Sequence, residues 1–367
     1  MNIAVTGANG FIAKNFIYNF INSENYKLHK ITRKTSKNKI INILKKSEII
    51  YHFAGVNRPT KSKTFKKDNI ELTKFICEYL QKNKLKKTIV FSSSTQVNKN
   101  NDYGKSKKIC ENLLIKFSKK NKSKVFILRL PNIFGKWSKP NYNSVVSTFC
   151  HNISRNKNLM ITDLSEKVNL FYIDDLVKIL KKFKDNKIKN NITYYKIKGS
   201  KIITLKKLSE IIIDFERKRR NFCLGDISSK FKKNLYSTYV SFLPRSKVTY
   251  KLKPIKDSRG SFTEFLKTNK NGQFSIFVAN KNQIRGHHFH HSKVEKFLVL
   301  KGKAKFSMWD ISSNHKINLN LNGKNPTVVE SIPGWQHYIK NVGLEELVVL
   351  LWSNEIFDVN KPDTFRL

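Results

Sequence analysis

The chain changes its hydrophobic period once, and that change divides what it can fold into. Up to about residue 200, short apolar runs alternate with amphipathic stretches. The runs are Ile3-Ala4-Val5, Leu28-His29-Lys30-Ile31, Ile49-Ile50-Tyr51-His52-Phe53, Thr88-Ile89-Val90-Phe91 and Val125-Phe126-Ile127-Leu128; the stretches include Ala13–Asn22, Ile70–Lys82 and Tyr103–Lys119. Strands alternating with helices of this length predict right-handed βαβ units and a parallel sheet, and near-continuous apolar strands fit burial on both faces. From about residue 250 the period falls to two. Phe274–Val278, Lys296–Leu300, Ala304–Trp309 and Glu346–Trp352 are separated by Gly, Asn, Pro and Ser turns, which predicts an all-β sandwich or barrel. A basic run (Arg217-Lys218-Arg219-Arg220) and a Ser/Lys-rich stretch near Ser228–Lys233 lie between them, so the junction is expected between residues 235 and 250. The two domains are set at 1–243 and 244–367.

The 367 residues suit two domains of ordinary size, and 39% hydrophobic residues suffice to bury two cores, which excludes wholesale disorder. The net charge of +46 invites a nucleic-acid reading, but only 11 of the 72 basic residues are Arg and 61 are Lys. Arg makes bidentate phosphate and base contacts, whereas Lys is a solvated point charge. The lysines are spread through every segment beside abundant Asn, as an AT-rich codon bias would leave them, and no nucleic-acid partner is expected. Cys77, Cys110, Cys150 and Cys223 are spaced 33, 40 and 73 residues apart with no CxxC pair, which predicts reduced thiols in a cytoplasm. The first residues read as a buried strand rather than a cleavable signal, and no apolar run approaches the roughly 20 residues that span a bilayer. A soluble cytoplasmic protein with no membrane partner is expected.

Thr6-Gly7-Ala8-Asn9-Gly10-Phe11-Ile12-Ala13 follows the first strand and opens a helix. Glycines there let the backbone turn tightly and approach a pyrophosphate seated on the helix N-terminus, with Ala13 small enough for close helix–strand packing. Gly7, Asn9, Gly10, Phe11 and Ile12 are therefore expected at a dinucleotide. The second strand ends Ile31-Thr32-Arg33-Lys34, basic where NAD enzymes place an acid on the ribose. Arg33 would suit a 2′-phosphate, so NADPH is expected. A third group is Phe91-Ser92-Ser93-Ser94-Thr95 followed by Tyr103-Gly104-Lys105-Ser106-Lys107. Tyr103 and Lys107, four apart on a helix, share a face, and an ammonium there lowers the phenol pKa so that the Tyr passes a proton to or from a carbonyl oxygen.

These residues, with Leu128-Arg129-Leu130-Pro131-Asn132-Ile133-Phe134-Gly135 and Phe171-Tyr172-Ile173-Asp174-Asp175-Leu176, resemble the extended short-chain dehydrogenase/reductase family over roughly residues 1–240. The resemblance implies a Rossmann-like domain, a catalytic triad of Ser94, Tyr103 and Lys107, and Asn132 near substrate or cofactor. Ser94 is chosen over Ser93 and Thr95 by register alone. Only eight residues separate Ser94 from Tyr103, far fewer than in most of the family, so the rim of the substrate cleft should differ.

In the C-terminal half, Arg285-Gly286-His287-His288-Phe289-His290 leads to Glu295, and Pro333-Gly334-Trp335-Gln336-His337 follows. Alternate strand residues face one side, so His288 and His290 converge; Glu295 and His337 complete a set that suits zinc or another borderline divalent metal. Five of the nine His fall at positions 287–291 and 337, which disfavours chance. The spacing His288-x-His290-x4-Glu295-x6-Gly302, then Gly334-x2-His337-x3-Asn341, resembles the two cupin motifs, implying a cupin (jelly-roll) barrel.

A reductase followed by a cupin is an uncommon order. With His52-Phe53-Ala54-Gly55-Val56-Asn57-Arg58-Pro59, Asp257-Ser258-Arg259-Gly260-Ser261-Phe262-Thr263-Glu264-Phe265 and Glu295-Lys296-Phe297-Leu298-Val299, the whole chain resembles the CapF-type enzymes of bacterial capsular and O-antigen polysaccharide synthesis. The resemblance implies Ala54 and Gly55 at the cofactor, Arg285 at the substrate, a homodimer, and a bifunctional enzyme on the route to UDP-N-acetyl-L-fucosamine. Its cupin would epimerise carbon 3 of a UDP-2-acetamido-2,6-dideoxy-L-4-hexulose, and its reductase would reduce the 4-keto group with NADPH to the talose derivative. The competing readings are a 4-ketoreductase whose cupin is not catalytic, an NADP-sensing regulatory protein, and an RNA-binding protein. The residues single out neither the epimerisation base nor the metal.

Overall fold

The computed structural model describes residues 1–57, 65–183, 191–268, 272–313 and 315–367, without the side chains of 66–68. Arg58 and Pro59 of the motif at 52–59 lie outside the described residues. The protein divides into two compact units, residues 1–213 with 228–244 and residues 214–227 with 245–367.

The first unit opens with β1 (Asn2–Thr6), α1 (Phe11–Tyr18), β2 (Lys27–Ile31), α2 (Lys37–Lys46) and β3 (Ile49–His52). A π-helical turn, Lys66–Glu71, leads into α3 (Leu72–Lys82), then β4 (Thr88–Ser94), α4 (Asp102–Asn121) and β5 (Val125–Leu130). After β6 (Asn132–Phe134), α5 (Val145–Ile153), β7 (Lys167–Tyr172) and α6 (Ile173–Lys182) come β8 (Ile192–Tyr195), β9 (Lys201–Thr204) and α7 (Leu205–Arg220). The main sheet runs β2-β1-β3-β4-β5-β8, every pair parallel. Successive strand residues point to opposite faces, and the core divides accordingly. Ile3, Val5 and Tyr51 meet Phe16 of α1 and Leu176 of α6 on one face. Ala4, Ile50 and Ile89 meet Leu44, Leu80 and Leu114 of α2, α3 and α4 on the other. This is the Rossmann-like parallel-sheet architecture expected from the alternation. β1 neighbours both β2 and β3, so the strand order reverses beside β1, where the C-terminal strand ends open a crevice for ligands.

One local expectation is corrected. The first helix covers Phe11–Tyr18 rather than Ala13–Asn22, because the Asn19 side chain donates to the Asn15 carbonyl and the chain leaves through 3₁₀-type bonds. The basic run and the Ser/Lys-rich stretch lie at helix ends. Arg217, Lys218 and Arg220 form the last turn of α7, paired with Asp214 and Glu216 one turn back. Ser229 caps α8 (Lys230–Ser241) by accepting from the Lys232 amide.

The second unit is β-rich. Its strands are β10 (Cys223–Leu224), β11 (Ile255–Asp257), β12 (Gly260–Thr268), β13 (Gly272–Ala279), β14 (Ile284–His288), β15 (Glu295–Lys301), β16 (Lys303–Asp310), β17 (Lys316–Asn322), β18 (Val328–Glu330), β19 (Trp335–Asn341) and β20 (Leu347–Ser353). They form a seven-stranded sheet, β10-β12-β13-β20-β15-β18 with β11 on β12, and a four-stranded sheet, β14-β19-β16-β17. All pairs are antiparallel except the short β10–β12 contact. Phe277, Phe297, Val299, Val349 and Leu351 of one sheet pack with Phe306, Met308, Leu321 and Ile339 of the other in one core, so the period-two residues face inward. Among the described residues no helix is long and apolar enough to cross a membrane.

Candidate functional site

The expected reductase residues lie at the C-terminal edge of the parallel sheet, on strand ends, on the loops after them and, for Tyr103 and Lys107, on the first turns of α4. The turn after β1 is tight: Gly10 N–H donates to the Gly7 carbonyl at 2.7 Å. Gly7 has φ +65°, and a Cβ there would lie 2.7 Å from Ala54 Cα, so only glycine fits. Asn9, Gly10, Phe11 and Ile12 form the mouth of α1, whose first turn has neither an acidic residue nor a capping side chain. Its backbone N–H groups are therefore open to a pyrophosphate, and Ala13 is buried beneath. A dinucleotide fits this arrangement. The Ala8 amide reaches the Ile31 carbonyl at 3.2 Å, which places the end of β2 against the turn; Arg33, two residues on, is exposed. Asn132 is likewise exposed, at the first residue of β6 just past β5.

Segment 54–57 is held by groups the sequence did not point out. Ala54 N–H donates to Thr6 Oγ1 (3.1 Å), and Val56 N–H donates to Asn69 Oδ1 (2.8 Å). Asn69 is buried on the π-helical turn, and its Nδ2 reaches Ser106 of α4 at 3.0 Å. Thr6 also meets His52 Nδ1 at 2.7 Å, and His52 Nε2 meets Thr73 at 2.9 Å. Burial, with the Lys107 charge nearby, pushes His52 down to about 3, so it is neutral in this hydrogen-bonded chain.

Ser94, Tyr103 and Lys107 are brought together. Ser94 ends β4, where its Oγ accepts from the Gln96 amide (3.1 Å) and its hydroxyl lies close to the Tyr103 phenol. Ser93 is committed elsewhere: it donates to Glu111, which Arg129 clamps with bonds of 3.0 and 2.7 Å. Lys107 is buried, donates to the Ser92 carbonyl (2.9 Å), and lies so close to Gly55 that a Cβ there would come within 3.1 Å of its Nζ. Burial pulls Lys107 down to about 8 against the opposing pull of Cys110 and Glu111. Burial also pushes Tyr103 up to about 12, and the nearby Ser94 hydroxyl offsets this only in part. The lowering of the phenol expected from Lys107 is not found: burial raises Tyr103, which keeps its proton at neutral pH.

The short Ser94–Tyr103 connection has a structural basis. Thr95–Asn98 forms a 3₁₀ turn, and Asn101 caps α4 by accepting from the Gly104 amide at 2.7 Å. The turn lies on the helix so closely that a Cβ at Gly104 would sit 2.1 Å from the Gln96 carbonyl oxygen. Gly104 is therefore required by the connection.

In the second unit, His288, His290, Glu295 and His337 present their donor atoms within 4.8 Å of one another. His288 ends β14 opposite His337 of β19, and Glu295 begins β15 in the other sheet. His290 and His337 each direct Nε2 at Glu295 Oε2, at 3.3 Å. Burial disfavours the Glu295 charge, but these two hydrogen bonds outweigh it and hold the carboxyl well below the usual range. Burial, reinforced by His337, pushes His288 down to about 4, leaving the imidazole neutral as a metal ligand must be. Three imidazoles and one carboxylate converging from both sheets fit a divalent cation such as zinc. His287 is excluded by a bulge: φ is +100° at Gly286 and +67° at His287, and the His287 ring stacks on Tyr338 (4.9 Å, 9°). Arg285 is committed to Asp257 (3.3 Å) and the Val278 carbonyl (3.4 Å), and its buried Nε has no hydrogen-bond partner among the described residues.

Residues 3–194 match the NAD dependent epimerase/dehydratase family, and residues 255–365 match the polysaccharide biosynthesis C-terminal domain. The sequence is 40% identical to the UDP-2-acetamido-2,6-beta-L-arabino-hexul-4-ose reductase of Pseudomonas aeruginosa, over 100% of this chain and 98% of the relative. The crystal structure of the capsular polysaccharide assembling protein CapF from Staphylococcus aureus matches at TM-score 0.92 and 36% identity, over 100% of both chains. The chain belongs to the CapF family. A CapF structure with the inhibitor 3-isopropenyl-tropolone also matches this CapF-family chain, at TM-score 0.87 and 33% identity over 100% of this chain and 99% of that one. Family membership implies a nicotinamide cofactor, in keeping with the open turn at Gly7–Ile12.

Proposed function

We propose that this CapF-family chain is a bifunctional nucleotide-sugar enzyme. Its C-terminal unit, a cupin, epimerises carbon 3 of a UDP-2-acetamido-2,6-dideoxy-L-4-hexulose. Its N-terminal unit then reduces the 4-keto group with NADPH to UDP-2-acetamido-2,6-dideoxy-L-talose, on the route to UDP-N-acetyl-L-fucosamine for capsule or O-antigen. The observation that carries the reading is the Ser94–Tyr103–Lys107 cluster beside the Gly7–Gly55 cradle, in a chain 40% identical over its length to a reductase of that sugar class.

NADPH, when bound, supplies the hydride. Tyr103, which holds its proton, donates it to the carbon-4 oxygen as charge develops there, and the Ser94 hydroxyl orients the same oxygen. Lys107 holds its charge beside the Gly55 backbone, where the cofactor ribose would rest. Arg33 rather than an acid after β2 favours the 2′-phosphate of NADPH, and Asn132 and Arg285 are assigned to the substrate. In the cupin, His288, His290, Glu295 and His337 would hold zinc, which staples the two sheets. The order of steps follows from acidity: the 4-ketone acidifies the hydrogen at carbon 3, so epimerisation precedes reduction. The protein is assigned to the cytoplasm as a homodimer.

The test is NADPH oxidation with the UDP-4-keto-6-deoxy-L-sugar in deuterated water, the product read by NMR. Deuterium at carbon 3 with NADPH consumption supports both activities. Consumption without deuterium reduces the cupin to a binding or assembly module, and no consumption overturns the substrate assignment.

A further inference from the structure

The motif that presents His290 is tied to the last residues of the chain. Phe289 and Phe365 exchange both backbone hydrogen bonds, at 2.9 and 3.0 Å. Between them, Asp363 makes two sets of contacts at once. Its carboxylate accepts from the amides of His291 (2.9 Å), Ser292 (2.9 Å) and Lys293 (2.7 Å) and from the Ser292 hydroxyl (3.0 Å). Its backbone carbonyl faces His290 Nδ1 at 2.5 Å. Asp363 has φ +37°, a left-handed conformation that Asp and Asn tolerate better than other side-chain-bearing residues. That conformation lets the carbonyl and the carboxylate reach the same loop. Lys293, buried, closes the clasp by donating to the Pro362 carbonyl (2.5 Å) and to Thr364 Oγ1 (3.0 Å).

We infer that Asp363 is a positioning residue of the His288–His290–Glu295–His337 centre, and that the terminal segment 362–365 is part of that centre. An imidazole whose Nδ1 is held by a fixed carbonyl has its ring orientation set and is left to ligate through Nε2, which here faces Glu295. The ring is oriented by the clasp before any ion arrives. The Gly334 amide, which donates to the His290 carbonyl at 2.7 Å, fixes the same residue from the side of the second motif. The inference rests on the metal reading of this cluster.

Cobalt(II) titration of the full-length protein tests it, with visible absorption reporting the coordination sphere and chelator competition reporting affinity. D363A is expected to lose roughly 10–100-fold in Co²⁺ affinity, as loss of an outer partner of a ligand typically costs, with altered absorption bands. D363N, which tolerates the conformation and keeps an acceptor, should stay closer to wild type. A second measurement needs no variant: hydrogen exchange at the Phe365 amide should slow when Zn²⁺ is added, because coupling between clasp and ion is reciprocal. Wild-type protein that takes up no Co²⁺ overturns the metal reading and this inference with it. Wild-type uptake that D363A leaves unchanged, or Phe365 exchange indifferent to Zn²⁺, overturns the positioning role alone.

Discussion

Tyr103 and Lys107 are both displaced by burial toward their neutral forms, and the two displacements have different consequences. A phenol near 12 is a proton donor at every physiological pH, so Y103F should lower kcat by about 10²–10⁴-fold, the range of a lost general acid. NADPH binding, measured by fluorescence titration, should be retained. The ammonium near 8 is the titrating group. Activity that needs Lys107 charged is expected to fall as pH rises through about 8, a limb that K107M should lack. The stability effect has the opposite sign. In the unfolded chain this lysine titrates near 10.4, so between about 8 and that value the unfolded state binds more protons and folding is favoured as pH rises. Denaturant titrations at pH 8 and pH 10 should show that rise in wild type and a smaller one in K107M.

Elements position these residues, and the connection between β4 and α4 is the place to test that. G104A puts a methyl group onto the Gln96 carbonyl, so the 3₁₀ turn must move, and with it the end of β4 that carries Ser94. The expected result is a destabilisation of about 1–3 kcal/mol, as for other overpacked sites, with reduced NADPH oxidation and intact hydrogen exchange at carbon 3. A wild-type melting curve and rate for G104A would show that the turn does not set the geometry. The Tyr103–Lys107 pair was legible because helix periodicity alone puts residues four apart on one face, and the turn at Gly7 because a glycine after a strand has few other uses. The need for Gly104 was not legible, since it arises from a carbonyl eight residues earlier. His288 ends β14 and His290 lies beyond it, so alternation alone does not account for their meeting, and the bulge that turns His287 aside depends on backbone angles that spacing does not reveal. The basic run Arg217–Arg220 is a helix end because Asp214 and Glu216, one turn back, pair with its charges, a partnership that the run considered alone does not show. Asp363 lies 73 residues from His290, beyond the reach of any local pattern.

At the scale of the whole molecule, the proposed function puts two chemistries on one chain, each with its own residues. The ketone is what makes carbon 3 acidic, so the first reaction has to run before the second removes it. Blocking the second therefore leaves the first intact. In deuterated water Y103F should accumulate 4-keto sugar carrying deuterium at carbon 3, with no NADPH consumed. H337A, which removes one imidazole from the cluster and leaves Glu295 with one hydrogen bond fewer, should give the reverse. It should incorporate little deuterium, yet reduce a ketone supplied already epimerised at the wild-type rate. Chelation of the wild-type protein should reproduce H337A if the cation staples the two sheets, and should lower the unfolding temperature of the C-terminal unit as well. NMR of the sugar and calorimetry on the same samples read both effects. Deuterium at carbon 3 that persists undiminished in H337A and disappears in Y103F would move the proton abstraction into the N-terminal unit, leaving the histidine cluster a purely structural centre.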